Sequence, residues 1–424
     1  MSPLSSVEPA DGVADADADA DDVDVDVVCL GESMVTFVPS RPGRLADVPS
    51  FARGIGGAES NVACGLALAG HSARWISRVG MDGFGEHLVR EIAATGVDTA
   101  YVQRDPYRPT GIYFRTAGER AVGFETASSE TASSETASSG TADSGTASSG
   151  TADSETADSE TAEGDPAEPL AEVVYYRAGS AAAAMSPELI PRERAWSGRV
   201  LHLTGITPAL SGDCRALMRE LTVRAPGRPL VSFDLNYRVS LWRKGEAEQN
   251  AESGPAVLLG LARRCDLVFV GEDEAEAVWG VRGPEAIRAA LPEPEVLVVK
   301  QGGAGATAYA RRPDGTDAIT FEPALRVDVV AAVGAGDAFA AGFLSGTLRG
   351  LPVAERLRHG HLMAAAVLTV PGDLGAPPAR ECADHLVALD ATRWGTLRFG
   401  PGWTDLPSPA EKWAETAAVE VTDP

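Results

Sequence analysis

The chain has 424 residues, with 36 Lys and Arg against 61 Asp and Glu and a formal net charge of −25. Residues 1–26 and 125–172 hold 21 of the acids and no Lys or Arg, so the remainder is only mildly acidic. That excess argues against nucleic acid or an anionic membrane as partner, because both are polyanions.

No apolar run reaches the roughly 18 residues a membrane span needs, and the N-terminus lacks the basic start and apolar core of a signal peptide. Both observations predict a cytoplasmic protein with no membrane partner. The five cysteines, Cys29, Cys64, Cys214, Cys265 and Cys382, are scattered without metal or disulfide spacing and read as small buried hydrophobes.

Taken in order, residues 1–26 read as a disordered acidic tail of alternating Asp, Ala and Val. Apolar runs then predict strands at Val25–Leu30, Ala73–Val79, Val200–Leu203, Pro229–Asp234, Leu267–Val270 and Val296–Val299. Helical stretches fall between them at Ser60–Ala69, Phe84–Thr95, Asp213–Val223 and Ala256–Arg264. This alternation predicts an α/β fold, a mostly parallel sheet with helices on both faces. Two β-like aromatic segments break the rhythm, Thr110–Thr116 and Val173–Arg177. Paired antiparallel, they form either a small lid or an ordinary edge hairpin. Between them, threonines recur at 126, 131, 136, 141, 146, 151, 156 and 161. A period of five small polar residues fits neither helix nor strand, so 125–170 reads as a disordered insert in that hairpin. Residues 27–378 form the main domain. An extension, 379–424, carries Trp394, Trp403 and Trp413.

The most informative stretch is Val333-Gly334-Ala335-Gly336-Asp337. Glycines let backbone N–H groups approach a phosphate, and the apolar run Ala338–Leu348 reads as a buried helix whose positive end would face an anion. Asp337 at that end fits two roles. It is a base that takes a proton from an attacking alcohol, or it is a helix N-cap.

Gly334–Asp337 resembles the C-terminal signature of PfkB, or ribokinase-like, carbohydrate kinases. Gly54-Ile55-Gly56-Gly57-Ala58-Glu59-Ser60-Asn61, Arg78–Gly85 and Lys300-Gln301-Gly302-Gly303-Ala304-Gly305 resemble further blocks of that family, in its order. The resemblance spans nearly all of residues 27–378. It implies a ribokinase-like fold with a small β lid (about 51–60, 108–124 and 171–180), ATP and Mg2+, and Asp337 as base. It also implies an anion hole from Gly334, Ala335 and Gly336. Gly302, Gly303 and Gly305 would line the nucleotide pocket with Lys300 nearby, and Glu274 would serve the metal. A homo-oligomer joined through the lid is a further implication. Three positions depart from the pattern: Ala331, Gly271 and His361. They keep a non-catalytic sugar-acid sensor among the readings.

Within the family the chain looks most like the 2-keto-3-deoxygluconate kinases, on Gly57–Asn61, Gly111–Arg115, Tyr175–Ala181, His202–Thr207 and Asp234–Arg238. By that resemblance Gly57, Ala58, Glu59 and Asn61 hold substrate hydroxyls. Tyr113, Tyr175 and Arg177 close over the substrate, Arg238 and Asp373 contact it, and Asn236, Tyr237 and Arg238 reach toward the nucleotide. The chemistry agrees: a sugar acid needs a cation, and the planar fork of Arg matches a carboxylate. A fructokinase or 5-keto-2-deoxygluconate kinase would share Asp337 and differ in the lid and arginines.

Overall fold

A computed structural model describes residues 25–41, 43–116, 173–243 and 253–405. The sequence-predicted insert, nearly all of the acidic tail, and Trp413 lie outside these residues.

The eight-stranded main sheet runs Asp317–Pro323, Gly305–Arg311, Val296–Lys300, Leu267–Gly271, Leu230–Asp234, Gly198–Thr204, Val25–Leu30, Ala73–Ile76. The last six strands in this order are mutually parallel, and the first two add an antiparallel edge. Because side chains alternate across a strand, each central strand feeds two cores. Val28 and Leu30 enter one with Leu201, Phe233 and Val268, while Val27 and Cys29 enter the other with Phe269 and Val298. The helices Gly212–Leu221 and Gly254–Ala262 cover the first face. Ala58–Leu68, Gly83–Ala94, Ala335–Leu348 and Val353–Leu368 cover the second.

The structure departs from the sequence-predicted elements in several places. The run Ala73–Val79 divides. Ala73–Ile76 joins the main sheet, while Arg78–Gly80 pairs with Gln103–Asp105. The divide falls at Ser77, whose carbonyl accepts from Gln103, and Arg78 Nε holds Asp105 at 2.9 Å. The antiparallel edge was not anticipated either, because its alternating polar residues lack the continuous apolar run of a buried strand. Residues 58–60 belong to the helix Ala58–Leu68 and not to a projecting sheet.

The second sheet has four strands in the order Phe51–Gly56, Met34–Pro39, Ile112–Arg115, Val173–Tyr176. The last two pair antiparallel. Phe37 stacks on Phe114 with ring centroids 4.8 Å apart, and Phe51 meets Phe114 edge-on.

The folded body continues past residue 378. Helices Arg380–Val387 and Ala391–Thr396 and the segment after them pack Ala383, Leu386, Trp394, Phe399 and Trp403 against Leu362 and Ala366. Trp394 Nε1 also donates to the Pro323 carbonyl. Among the described residues no helix is long and apolar enough to cross a membrane.

Candidate active site

The C-terminal ends of the parallel strands converge with the N-terminus of the helix Ala335–Leu348, the place where open α/β sheets build crevices. Gly334 precedes that helix with φ of +77°, and a Cβ there would lie 2.4 Å from the Asp373 carbonyl oxygen. Only glycine meets both demands. The amides of Ala335 and Gly336 fall in the first helical turn, where no intrahelical carbonyl is available to them. They and the helix dipole therefore favour an anion.

Asp337 stands in the same turn. Asn61 Nδ2 donates to its Oδ2 at 2.9 Å, and Asn236 Nδ2 reaches its Oδ1 at 3.3 Å. The residue remains partly open to the cleft. Burial, reinforced by the negative charge of Asp234, pushes its carboxyl up to about 7 against the opposing Asn61 hydrogen bond, Arg238 and Lys300. Asn236 holds φ of +40°, the one non-glycine residue with positive φ among those described. Asn tolerates that conformation better than most residues, and it lies two residues past the end of the strand Leu230–Asp234.

Lys300, ending the strand Val296–Lys300, grips Asp234 with Nζ 2.8 and 3.0 Å from the two carboxylate oxygens. Burial opposes its charge. Asp234, Glu274 and Asp337 outweigh burial and hold its pKa above the usual lysine value. A Cβ on Gly336 would lie 3.5 Å from Lys300 Nζ, so the ammonium borders the glycine turn. Beyond Lys300 the chain turns through Gly302–Ala304 with open space beside Gly302 and Gly303, then enters Gly305–Arg311.

The second sheet closes one flank. Tyr113 Oη donates to Asp373 Oδ2 at 2.9 Å, and Arg115 Nη2 donates to Asp373 Oδ1 at 2.8 Å. Asp373 thus joins this sheet to the Gly334 turn through its own carbonyl. Tyr175 stacks on Tyr113, centroids 5.4 Å apart. Arg177 lies beside Tyr175 and is hydrogen-bonded to Glu32, whose other oxygen accepts from Ser180. Gly57 sits against the backbone of Glu32 and Ser33.

Arg238 is half exposed, and its nearest acid, Glu274, is 3.8 Å away. Glu274 itself accepts from the backbone amides of Tyr237 and Gly271. Among the described residues no group of three or more His, Cys, Asp or Glu converges to hold a metal. The donor set suits an ion carried mainly by phosphates and water, which is how Mg2+ is usually bound.

Of the sequence-predicted site residues, the structure gathers Asn61, Asn236, Lys300, Asp337 and the Gly334–Gly336 turn around one point. Tyr113, Tyr175 and Asp373 lie beside them. Glu59 does not open to the cleft. It is fully buried, with Oε1 accepting from Thr204 Oγ1 at 2.8 Å and Thr207 Oγ1 at 2.9 Å. His361 turns to the Glu322 carbonyl, 3.1 Å from its Nε2. Sequence reasoning assigned no role to Glu32, Arg115 or Asp234. Glu32 and Asp234 sit at the C-terminal ends of buried parallel strands, and that position was the available signal.

The profile of the pfkB family carbohydrate kinases matches residues 24–142 and 156–380, well over half of the chain. The chain belongs to this family. A 2-dehydro-3-deoxygluconokinase of Bacillus subtilis (strain 168) is 32% identical over 360 residues, which is 84% of this chain and 93% of that protein. A 2-dehydro-3-deoxygluconokinase of Thermoproteus tenax is 29% identical over 86% of this chain and 94% of its own. The crystal structure of a PfkB protein from Polaromonas sp. JS666 superposes with a TM-score of 0.63 at 29% identity, covering 86% of this chain and all of that one. The protein is therefore a carbohydrate kinase of ribokinase-like fold.

Proposed function

We propose that this carbohydrate kinase transfers the γ-phosphoryl group of ATP to the terminal hydroxyl of 2-keto-3-deoxygluconate, giving 2-keto-3-deoxy-6-phosphogluconate, with Asp337 as general base. One observation carries the reading. A carboxylate clamped by Asn61 and Asn236 stands in the first turn of a helix whose N-terminus is shaped for an anion. A base and an oxyanion-type site held side by side are what phosphoryl transfer to an alcohol requires.

In this mechanism Asp337 takes the proton of the substrate hydroxyl as that oxygen attacks. Its pKa near 7 suits the task at neutral pH, since a base close to the working pH accepts the proton readily while remaining substantially ionised. The amides of Gly334, Ala335 and Gly336 face the transferring group, with Lys300 bordering the same turn. Gly302 and Gly303 leave the open space in which the nucleotide lies, Gly305 closes that turn against the Glu322 carbonyl, and Asn236 and Tyr237 approach from the neighbouring strand end. Bound Mg2+ would supply charge neutralisation on the phosphates, and Glu274 is the residue that would help to hold it. The four-stranded sheet acts as a lid over the sugar through Tyr113 and Tyr175. The relatives named 2-dehydro-3-deoxygluconokinase support the choice of sugar acid.

The arginines refine that choice. Arg177 is engaged by Glu32 and Arg115 by Asp373, all four side chains being nearly buried. Arg238 is the accessible cation of the set, and it is the residue we assign to the substrate carboxylate, with Arg177 supporting the lid. The same pairing favours a second reading, a neutral-sugar kinase, because two of the arginines already have acids. Steady-state ADP release on 2-keto-3-deoxygluconate and on fructose, for wild type and Arg238→Ala, separates the two. The sugar-acid reading predicts a preference for the acid that Arg238→Ala erases through KM. A preference for fructose, unaltered in the variant, discards it.

A further inference from the structure

We propose that Glu59 is a positioning residue. Braced by Thr204 and Thr207, it ties the helix bearing Asn61 to the strand ends, and its charge acts on Asp337 instead of its carboxyl touching the sugar. This rests on the assignment of Asp337 as the base.

The geometry begins at Gly31, just past the strand Val25–Leu30. A Cβ on Gly31 would fall 2.1 Å from Glu59 Cδ, so the carboxyl lies flat on the Gly31 backbone in space that only glycine leaves free. Oε1 takes both threonine hydroxyls, while Oε2 is buried with no hydrogen-bond partner among the described residues. Thr204 ends the strand Gly198–Thr204 and lies in register with Asp234. Asp234 holds Lys300. Two residues after Glu59, Asn61 donates to Asp337. One carboxyl thus connects two strand ends to the hydrogen bond that holds the base.

The two oxygens are unequal. An ionised Glu59 would leave negative charge on an unsolvated Oε2, which is costly in a dry interior. A neutral acid with its proton on Oε2 keeps both threonine bonds to Oε1. The first turn of the Ala58–Leu68 helix pulls the other way by favouring an anion. Burial prevails over the two threonines and Glu59's own backbone amide and raises the carboxyl to about 7, with Asp337 adding slightly to the rise. The groups facing the pair are the Cys29 thiol on the Glu59 side and Asp234, Lys300 and Arg238 on the Asp337 side. Asp337 is the smallest of the influences on Glu59, so the charge of one carboxyl bears on the other only modestly.

Glu59→Gln preserves shape and the threonine bonds but removes the competing charge. The expected result is a downward move of the acid limb of kcat/KM by about 0.5–1 pH unit, with KM for the sugar within about twofold of wild type. Thr207→Val withdraws a hydroxyl that favours ionised Glu59, and it moves the limb in the same direction. It provides the reading if Glu59→Gln fails to fold. Superimposable pH profiles in the folded variants overturn the proposal. So does a sugar KM raised tenfold or more at unchanged kcat, which would make Glu59 a substrate ligand. Asp337→Ala in parallel isolates the premise: full turnover there defeats the base assignment whatever Glu59 does.

Discussion

Replacing Asn61 by Ala removes the 2.9 Å bond to Asp337 Oδ2. Hydrogen bonds to charged groups are worth roughly 1.5–3 kcal/mol. This one stabilises the ionised carboxylate, so its loss raises the Asp337 pKa further. At 1.36 kcal/mol per unit the rise is about 1–2 units, from the present value of about 7. Water filling the vacated space offsets part of that, so the lower half of the range applies. The ionised fraction at pH 7 then drops from about one half to between roughly one in ten and one in thirty, and kcat/KM falls about five- to fifteenfold. The loss should shrink as pH approaches 9. The assay is ADP release across pH 5.5–9.5 on the variant and wild type. A uniform loss at every pH, with the acid limb unmoved, would refute the reasoning and leave Asn61 acting only on the substrate.

Other substitutions follow from the same geometry. Gly334→Ala places a Cβ on the Asp373 carbonyl at φ of +77°. The left-handed conformation alone costs about 1–2 kcal/mol, so the variant should melt earlier and lose turnover together. Arg177→Ala strands the buried Glu32, and a broken buried pair costs about 3–5 kcal/mol. Arg238→Ala removes a half-exposed side chain and should leave stability within about 0.5 kcal/mol while raising KM for the sugar acid. Urea unfolding and initial rates, measured together, check this contrast. Asp337→Asn tests linkage. Between its ordinary 3.8 and about 7 the folded protein keeps a proton that the unfolded chain has released, so this group lowers stability as pH rises through that window. The variant should therefore melt above wild type at pH 8, and the gap should close toward pH 4. A constant gap would contradict the shift.

The parallel core was legible because strands buried on both faces read as near-continuous apolar runs. Leu267–Val270 is such a run, and Val25–Leu30 is one apart from Asp26. The glycine turn was legible because Gly334 and Asp337 combine a conformational demand with a charge. The antiparallel edge was not, since Asp317–Pro323 mixes Asp, Thr and Glu with Ile and Phe. The partners of the charged residues were also hidden. Arg177 and Arg238 look alike in sequence, each following a tyrosine. Glu32 neutralises the first from a strand end 145 residues earlier, while the second stays half exposed. Likewise Glu59 lies within a glycine motif that suggests exposure, and only the missing side chain at Gly31 shows where its carboxyl goes.

The most direct test of the account is ATP- and Mg2+-dependent ADP release on 2-keto-3-deoxygluconate beside fructose and ribose, for wild type and Asp337→Ala. The account predicts turnover preferring the sugar acid that vanishes in the variant. Turnover on the sugar acid that survives in Asp337→Ala, or turnover on none of the three sugars in wild type, would contradict it.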